Sequence, residues 1–168
     1  MEALNKQFES LFHTYSDAIF RHLYFRLGNR ERAKELTQEV FMRTWQHLAA
    51  GKEISYEKAF LYKIAGNLFI NEIRTDKQTN SLEALIEETS YEPATSLDTP
   101  LEYSEQAEVL RLLEYLSDNY RQVLVMRYIE GLAVKDIARL LEEKETNISM
   151  RITRALEKLK EHYRPNET

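Results

Sequence analysis

The stretch GLAVKDIARLLEEKETNISMRITRALEKL, residues 131–159, decides how the chain is read. It opens on a glycine, runs through the apolar-periodic AVKDIARLL, breaks at EEKET and resumes as a second periodic segment. In that second segment Ile148, Ile152, Ala155 and Leu159 recur at spacings of four, three and four, which predicts a helix with one core-facing stripe. Asn147, Arg151, Arg154 and Lys158 repeat at the same spacings beside it, so a donor-rich ridge runs along the flank of a buried helix. Two helices across a short turn, the second one basic, form a helix-turn-helix pattern.

Working outward, Thr99-Pro100-Leu101-Glu102 reads as a capping box with proline at the first helical position, opening a helix along Leu101, Val109, Leu113 and Leu116. Ser117-Asp118 restarts a helix through Tyr120, Val123, Leu124 and Arg127, closed by Gly131. At the other end, Leu4, Phe8, Leu11, Phe12, Tyr15, Ile19 and Leu23 trace one amphipathic helix that stops near Gly28-Asn29. Ala33, Leu36, Val40, Phe41, Trp45 and Leu48 trace a second, ending at Ala49-Ala50-Gly51. Phe60, Leu61, Ile64, Leu68 and Ile73 trace a third, with Ser55 as its expected cap.

The charge is unevenly distributed. The chain of 168 residues carries a net −5, but residues 1–78 sum to +2, residues 79–108 to −8 and residues 109–168 to +1. The acidity therefore belongs to a middle segment joining two nearly neutral modules. The expected organisation is an all-α chain of two small helical domains: a three-helix bundle over 1–77, an acidic flexible linker over 78–98 with a helical turn at Leu82–Ile86, and a four-helix domain with the helix-turn-helix over 99–168. Only 4 Gly and 3 Pro argue against turn-rich β structure. The absence of cysteine removes disulfides and thiolate metal sites and fits a reducing compartment. No basic n-region precedes an apolar run, and no stretch approaches ~18 uninterrupted apolar residues, so a cytoplasmic protein without membrane insertion is expected.

The segment 131–159 resembles the promoter-reading helix-turn-helix of the extracytoplasmic-function sigma factors, compact members of the sigma-70 family. ERAKELTQEVFMRTWQHL, residues 31–48, resembles the helix by which those proteins grip RNA polymerase, and KAFLYKIAGNLFINEIR, residues 58–74, resembles their -10 reading helix. Three motifs in the right order carry far more weight than one helix-turn-helix, which many unrelated regulators possess. The resemblance implies a subunit that binds core RNA polymerase and directs initiation through the -10 and -35 promoter elements.

It also implies roles for named residues. Glu35, Gln38, Glu39 and Trp45 would meet the polymerase clamp helices, the carboxylates matching basic residues there. Lys63, Asn67, Asn71, Arg74 and Lys77, at intervals of four, four, three and three, would face the -10 element, with asparagines toward base edges and cations toward phosphate. The asparagine at the position of Asn67 helps frame a flipped base in the family, and the preceding loop, here 51–58, completes its pocket. Phe60 stands where family members usually have tryptophan, so a stacking ring survives without the indole. Asn147, Ser149, Met150, Arg151, Arg154 and Lys158 would face the -35 element. Thr146-Asn147, able to cap this helix, replaces the usual small residue and glycine-threonine, so the resemblance specifies the fold here and not the sequence read. The polymerase flap and an anti-sigma protein are further partners that the resemblance admits.

Each of these faces also has a plainer reading as a solvated helix surface. Two other functions stay open on the residues alone: a conventional helix-turn-helix regulator whose first bundle senses a signal, and a helical protein-interaction adaptor without DNA binding. Enzyme readings find no support, since His13, His22, His47 and His162 lack metal-ligand spacing and no phosphate-cradling loop or nucleophile elbow is present. No cofactor or metal is expected.

Overall fold

The computed structural model describes residues 1–83 and 100–163, with side chains over 1–75 and 105–163. The chain divides into two compact units, Met1–Ala94 and Thr95–Thr168. The described elements are all helices, three in the first unit and four in the second: an all-α fold.

In the first unit α1 (Glu2–Leu27) ends because Gly28 adopts φ 70°, ψ 11° and donates its N–H to the Tyr24 carbonyl at 2.8 Å. Asn29, expected as part of that stop, instead starts α2 (Arg30–Ala49): its side chain accepts from the Arg32 N–H at 3.1 Å. The two-residue turn folds α2 back along α1, and this pair makes the most extensive contact in the unit. α3 (Glu57–Glu83) packs on both. It begins one residue later than a Ser55 cap requires, since the Tyr56 carbonyl accepts the Phe60 N–H at 3.0 Å. At its other end it runs six residues past 77, so Gln78–Glu83 is helical where the linker was expected. The rest of the expected linker, 84–98, and the Thr99 capping hydroxyl lie outside the described residues.

Leu11, Ile19 and Leu23 of α1, Ala33, Leu36, Val40, Phe41 and Leu48 of α2, and Leu61, Ala65, Leu68 and Phe69 of α3 form the core. Each polar side chain that enters it has at least one partner. Thr37 and Thr44 donate their hydroxyls to the carbonyls of Ala33 and Val40 at 2.7 and 2.8 Å. The His22 ring lies 4.9 Å from that of Tyr62, and the Arg26 guanidinium sits 3.6 Å above the Phe69 ring. Phe12 departs from the expected stripe at 42% exposed, its ring turned edge-on to Phe41 at 5.1 Å.

In the second unit α4 (Pro100–Glu114) does begin at the proline. Its end is tied down by Arg121, whose guanidinium donates to the carbonyls of Leu113 and Leu116 at 3.0 and 3.3 Å. α5 (Asp118–Leu124) starts after Ser117 and passes into a π-helical turn, Val125–Ile129, in which the Glu130 N–H reaches the Val125 carbonyl at 3.0 Å. Val123 through Met126 are all buried, so this helix is enclosed around most of its girth. Gly131 follows at φ 70° and lets the chain turn into α6 (Val134–Leu141).

A turn of three residues, Glu142 to Lys144, leads to α7 (Glu145–His162). The helix begins before Thr146 and Asn147, with Lys144 in the cap position, so neither of those two caps it. Ile148, Ile152 and Ala155 are buried as their spacing predicts, and Leu159 is half-buried.

Candidate nucleic-acid and polymerase interfaces

With its apolar stripe closed against the second unit, α7 presents the neighbouring ridge. Asn147, Ser149, Arg154 and Lys158 are exposed, and Met150 is 51% exposed. The four ridge residues are not equivalent. Arg151 is only 21% exposed, because its Nη2 donates to Glu143 Oε2 across the α6–α7 turn at 2.5 Å. The Lys158 ammonium lies 5.9 Å from the Tyr120 ring centroid. Between Ser117, Asn119 and Tyr120 at the start of α5 and Asn147, Met150, Arg151 and Arg154 of α7 lies an open cleft of about 430 Å³. Its rim carries two guanidinium groups and several neutral hydrogen-bonding groups, a lining suited to an anionic backbone passing over α7.

On α3, Lys63, Asn67, Asn71 and Arg74 are all exposed and share one face. Ile70, 47% exposed, lies among them and was missed, although its position three residues after Asn67 marks it as part of that face. Phe60 is half-buried, its ring 4.6 Å from that of His47, so only part of it is available for stacking. The Lys77 side chain lies outside the described residues.

On α2, Glu35 and Gln38 are exposed, while Glu39 is half-buried and paired with Arg43 at 2.8 Å. Trp45 is half-buried, as its place in the apolar stripe implies, and lies edge-on to Phe8 at 5.3 Å and 81°. The exposed apolar element on this face is Met42, 51% exposed, which the stripe-based reading passed over. Arg32 at the start of α2 reaches across to α3, where its Nε donates to Glu72 Oε1 at 2.5 Å and its Nη2 pairs with Glu72 Oε2; its Nη1 pairs with Glu35. Hydrogen bonding from Glu72 above all, reinforced by Glu35, holds Arg32 in its charged form, raising its pKa further.

Residues 11–79 match the family described as Sigma-70 region 2, and residues 106–159 match Sigma-70, region 4. The ECF RNA polymerase sigma factor SigM of Bacillus subtilis is 27% identical over 156 residues, covering 92% of this chain and 94% of that protein. The RNA polymerase sigma factor YlaC of Bacillus subtilis is 30% identical over 158 residues, covering 92% of this chain and 90% of that one. The chain belongs to the extracytoplasmic-function sigma factors of the sigma-70 family.

The sigma factor's two matched regions coincide with its two sets of helices, region 2 with α1 to α3 and region 4 with α4 to α7. Its fold is shared with the sigma factor RpoE of Bartonella quintana, solved in complex with the anti-sigma factor NepR, at 22% identity and TM-score 0.70 over 93% of this chain and 96% of that one. CnrH, solved with the cytosolic domain of CnrY, has the same fold at 19% identity and TM-score 0.67 over 94% and 88% of the two chains. As a sigma factor the protein directs promoter-specific transcription initiation with RNA polymerase. Among the described residues, no helix is long and apolar enough to cross a membrane.

Proposed function

We propose that this sigma factor divides its work between the two units: the first grips core RNA polymerase through α2 and reads the -10 element through α3, and the second reads the -35 element through α7. The observation that carries this is on α7: Ile148, Ile152 and Ala155 are closed inside the unit while Asn147, Arg154 and Lys158 beside them are exposed. That leaves a basic helix face at the surface of a helix-turn-helix, the arrangement that lets a helix enter the major groove. On α3, Asn67 and Asn71 offer amides toward bases, Lys63 and Arg74 offer charge toward phosphate, and Ile70 adds apolar surface for an unstacked base.

On α2, Glu35, Gln38, Glu39 and Met42 form the face offered to the polymerase clamp helices, carboxylates around an apolar centre. The flap contact falls to the second unit. The protein works in the cytoplasm, where its polymerase is, and the chemistry of initiation belongs to that polymerase and not to this chain. An anti-sigma protein is a further partner; support comes from RpoE, which shares this fold and was solved with the anti-sigma factor NepR.

The reading is tested on α2. Gln38→Ala combined with Glu39→Ala removes polar groups that the bundle core does not use, so helicity and melting temperature should stay unchanged. Affinity for core RNA polymerase should fall by on the order of 1–2 kcal/mol in a competition titration. Unchanged affinity with the fold intact by circular dichroism would remove α2 from the interface.

A further inference from the structure

The turn between α6 and α7 is acidic. Glu142 and Glu143 precede Lys144, and Glu145 opens α7, which places three carboxylates beside a helix that approaches DNA phosphates. Such charges repel the duplex, and their position calls for a reason. Glu142 takes the left-handed conformation that ends α6. Glu143 is the carboxylate that reaches the ridge, where it accepts the hydrogen bond from Arg151 at 2.5 Å with the two side chains 33% and 21% exposed. The main chain delivers it there, because the Glu143 N–H donates to the Ala138 carbonyl at 2.9 Å and so holds its backbone against the end of α6. Arg151, eight residues further on, leans back along α7 toward the turn, the direction that side chains take on a helix.

We propose that Glu143 is a positioning residue that fixes the Arg151 guanidinium for base readout and sets its specificity at the -35 element. This rests on the assignment of α7 as the -35 reader and of Arg151, in its N-terminal half, as a base contact. An unpaired arginine is rich in rotamers, and it is drawn to whichever phosphate lies nearest. The carboxylate acts on both properties. It takes one N–H of Nη2, which restricts the side chain while leaving the guanidinium other N–H groups for a bidentate contact such as that to guanine O6 and N7. It also offsets the positive charge, so that Arg151 contributes less to sequence-independent attraction than Arg154 or Lys158. The pair thereby separates two tasks along one ridge, base discrimination at Arg151 and phosphate contact at Lys158.

The test uses the full chain reconstituted with core RNA polymerase and a pool of promoter fragments randomised across the -35 segment, with affinity for a scrambled fragment measured in parallel. The unaltered protein should prefer one base at the Arg151-contacted pair by roughly 5- to 150-fold. Arg151→Ala should abolish that preference. Glu143→Gln should weaken it several-fold at that pair alone, keep the preferences elsewhere, and leave affinity for scrambled DNA equal or higher, since a repelling charge is gone. Glu143→Asp should retain part of the preference.

If Arg151→Ala alters no base preference, the reading of Arg151 falls and the proposal with it. If Arg151→Ala abolishes the preference and Glu143→Gln does not touch it, the reading stands and the proposal is overturned. A uniform loss at every base pair accompanied by a lower melting temperature would make Glu143 merely structural. A sharper preference in Glu143→Gln would make the pair a restraint that DNA must break, which also overturns the proposal.

Discussion

Glu142 sits at φ 55°, ψ 43°, the only non-glycine with positive φ among the described residues. A side chain there costs about 1–2 kcal/mol of backbone strain, partly offset against the freedom a glycine loses on folding. Glu142→Gly should therefore raise the stability of the second unit by about 0.5–1 kcal/mol, read as a higher thermal midpoint by circular dichroism. A lower midpoint would mean that the carboxylate makes a contact worth more than the strain. Gly28 gives the converse case: at φ 70° with open space for a Cβ, Gly28→Ala should cost about 1 kcal/mol from backbone strain alone. The two positions perform one task and were unequally legible. A glycine before Asn29 announces a left-handed helix end, whereas a glutamate in the same conformation carries no signal, because the strain is imposed by the helices on either side of it.

Among the elements, α2 and α3 are joined by more than apolar packing. Arg32 spans them to reach Glu72, whose side chain is only 13% exposed, while the Arg43–Glu39 pair lies within α2 with its partners 49% and 34% exposed. Arg32→Ala should cost about 1–2 kcal/mol because it strands a largely covered carboxylate, whereas Arg43→Ala should cost no more than about 0.5 kcal/mol. Combining Arg32→Ala with Glu72→Gln should cost less than the two single losses together, and strict additivity in urea unfolding would show that the pair is not coupled. Helix existence was readable at this scale, since stripes such as Val40 with Phe41 or Ile148 with Ile152 depend only on spacing. Helix starts were less so: α3 and α7 begin at Glu57 and Glu145 and not where Ser55 or Asn147 would cap them. The starts are marked by backbone bonds, Phe60 N–H to the Tyr56 carbonyl at 3.0 Å and Ile148 N–H to the Lys144 carbonyl at 3.2 Å, and not by the side chains that offer a cap.

At the scale of the whole molecule, each unit closes its own core, with Ile19, Leu23, Val40, Leu61 and Phe69 inside the first and Val123, Val125, Met126, Ile137 and Ile148 inside the second. Residues 1–94 expressed alone should therefore be helical and unfold in one cooperative transition in a thermal melt. A broad, non-cooperative melt would show that this core does not suffice. The order of the helices, the two-part division and the polar faces of α2, α3 and α7 follow from features local to the chain: periodicity of three and four, glycine and proline at helix ends, and the separation of basic from acidic segments. Those features act over a few residues, so they can be read without knowing what lies across the fold. The state of each site residue cannot. Trp45 half-covered by Phe8, Phe60 against His47, Arg32 bound to Glu72 forty residues away and Arg151 held by Glu143 all depend on side chains that helix packing or a turn brings together. Pairing and burial act through space, so only the closed tertiary structure separates the exposed cations of α7 from the one held by a carboxylate.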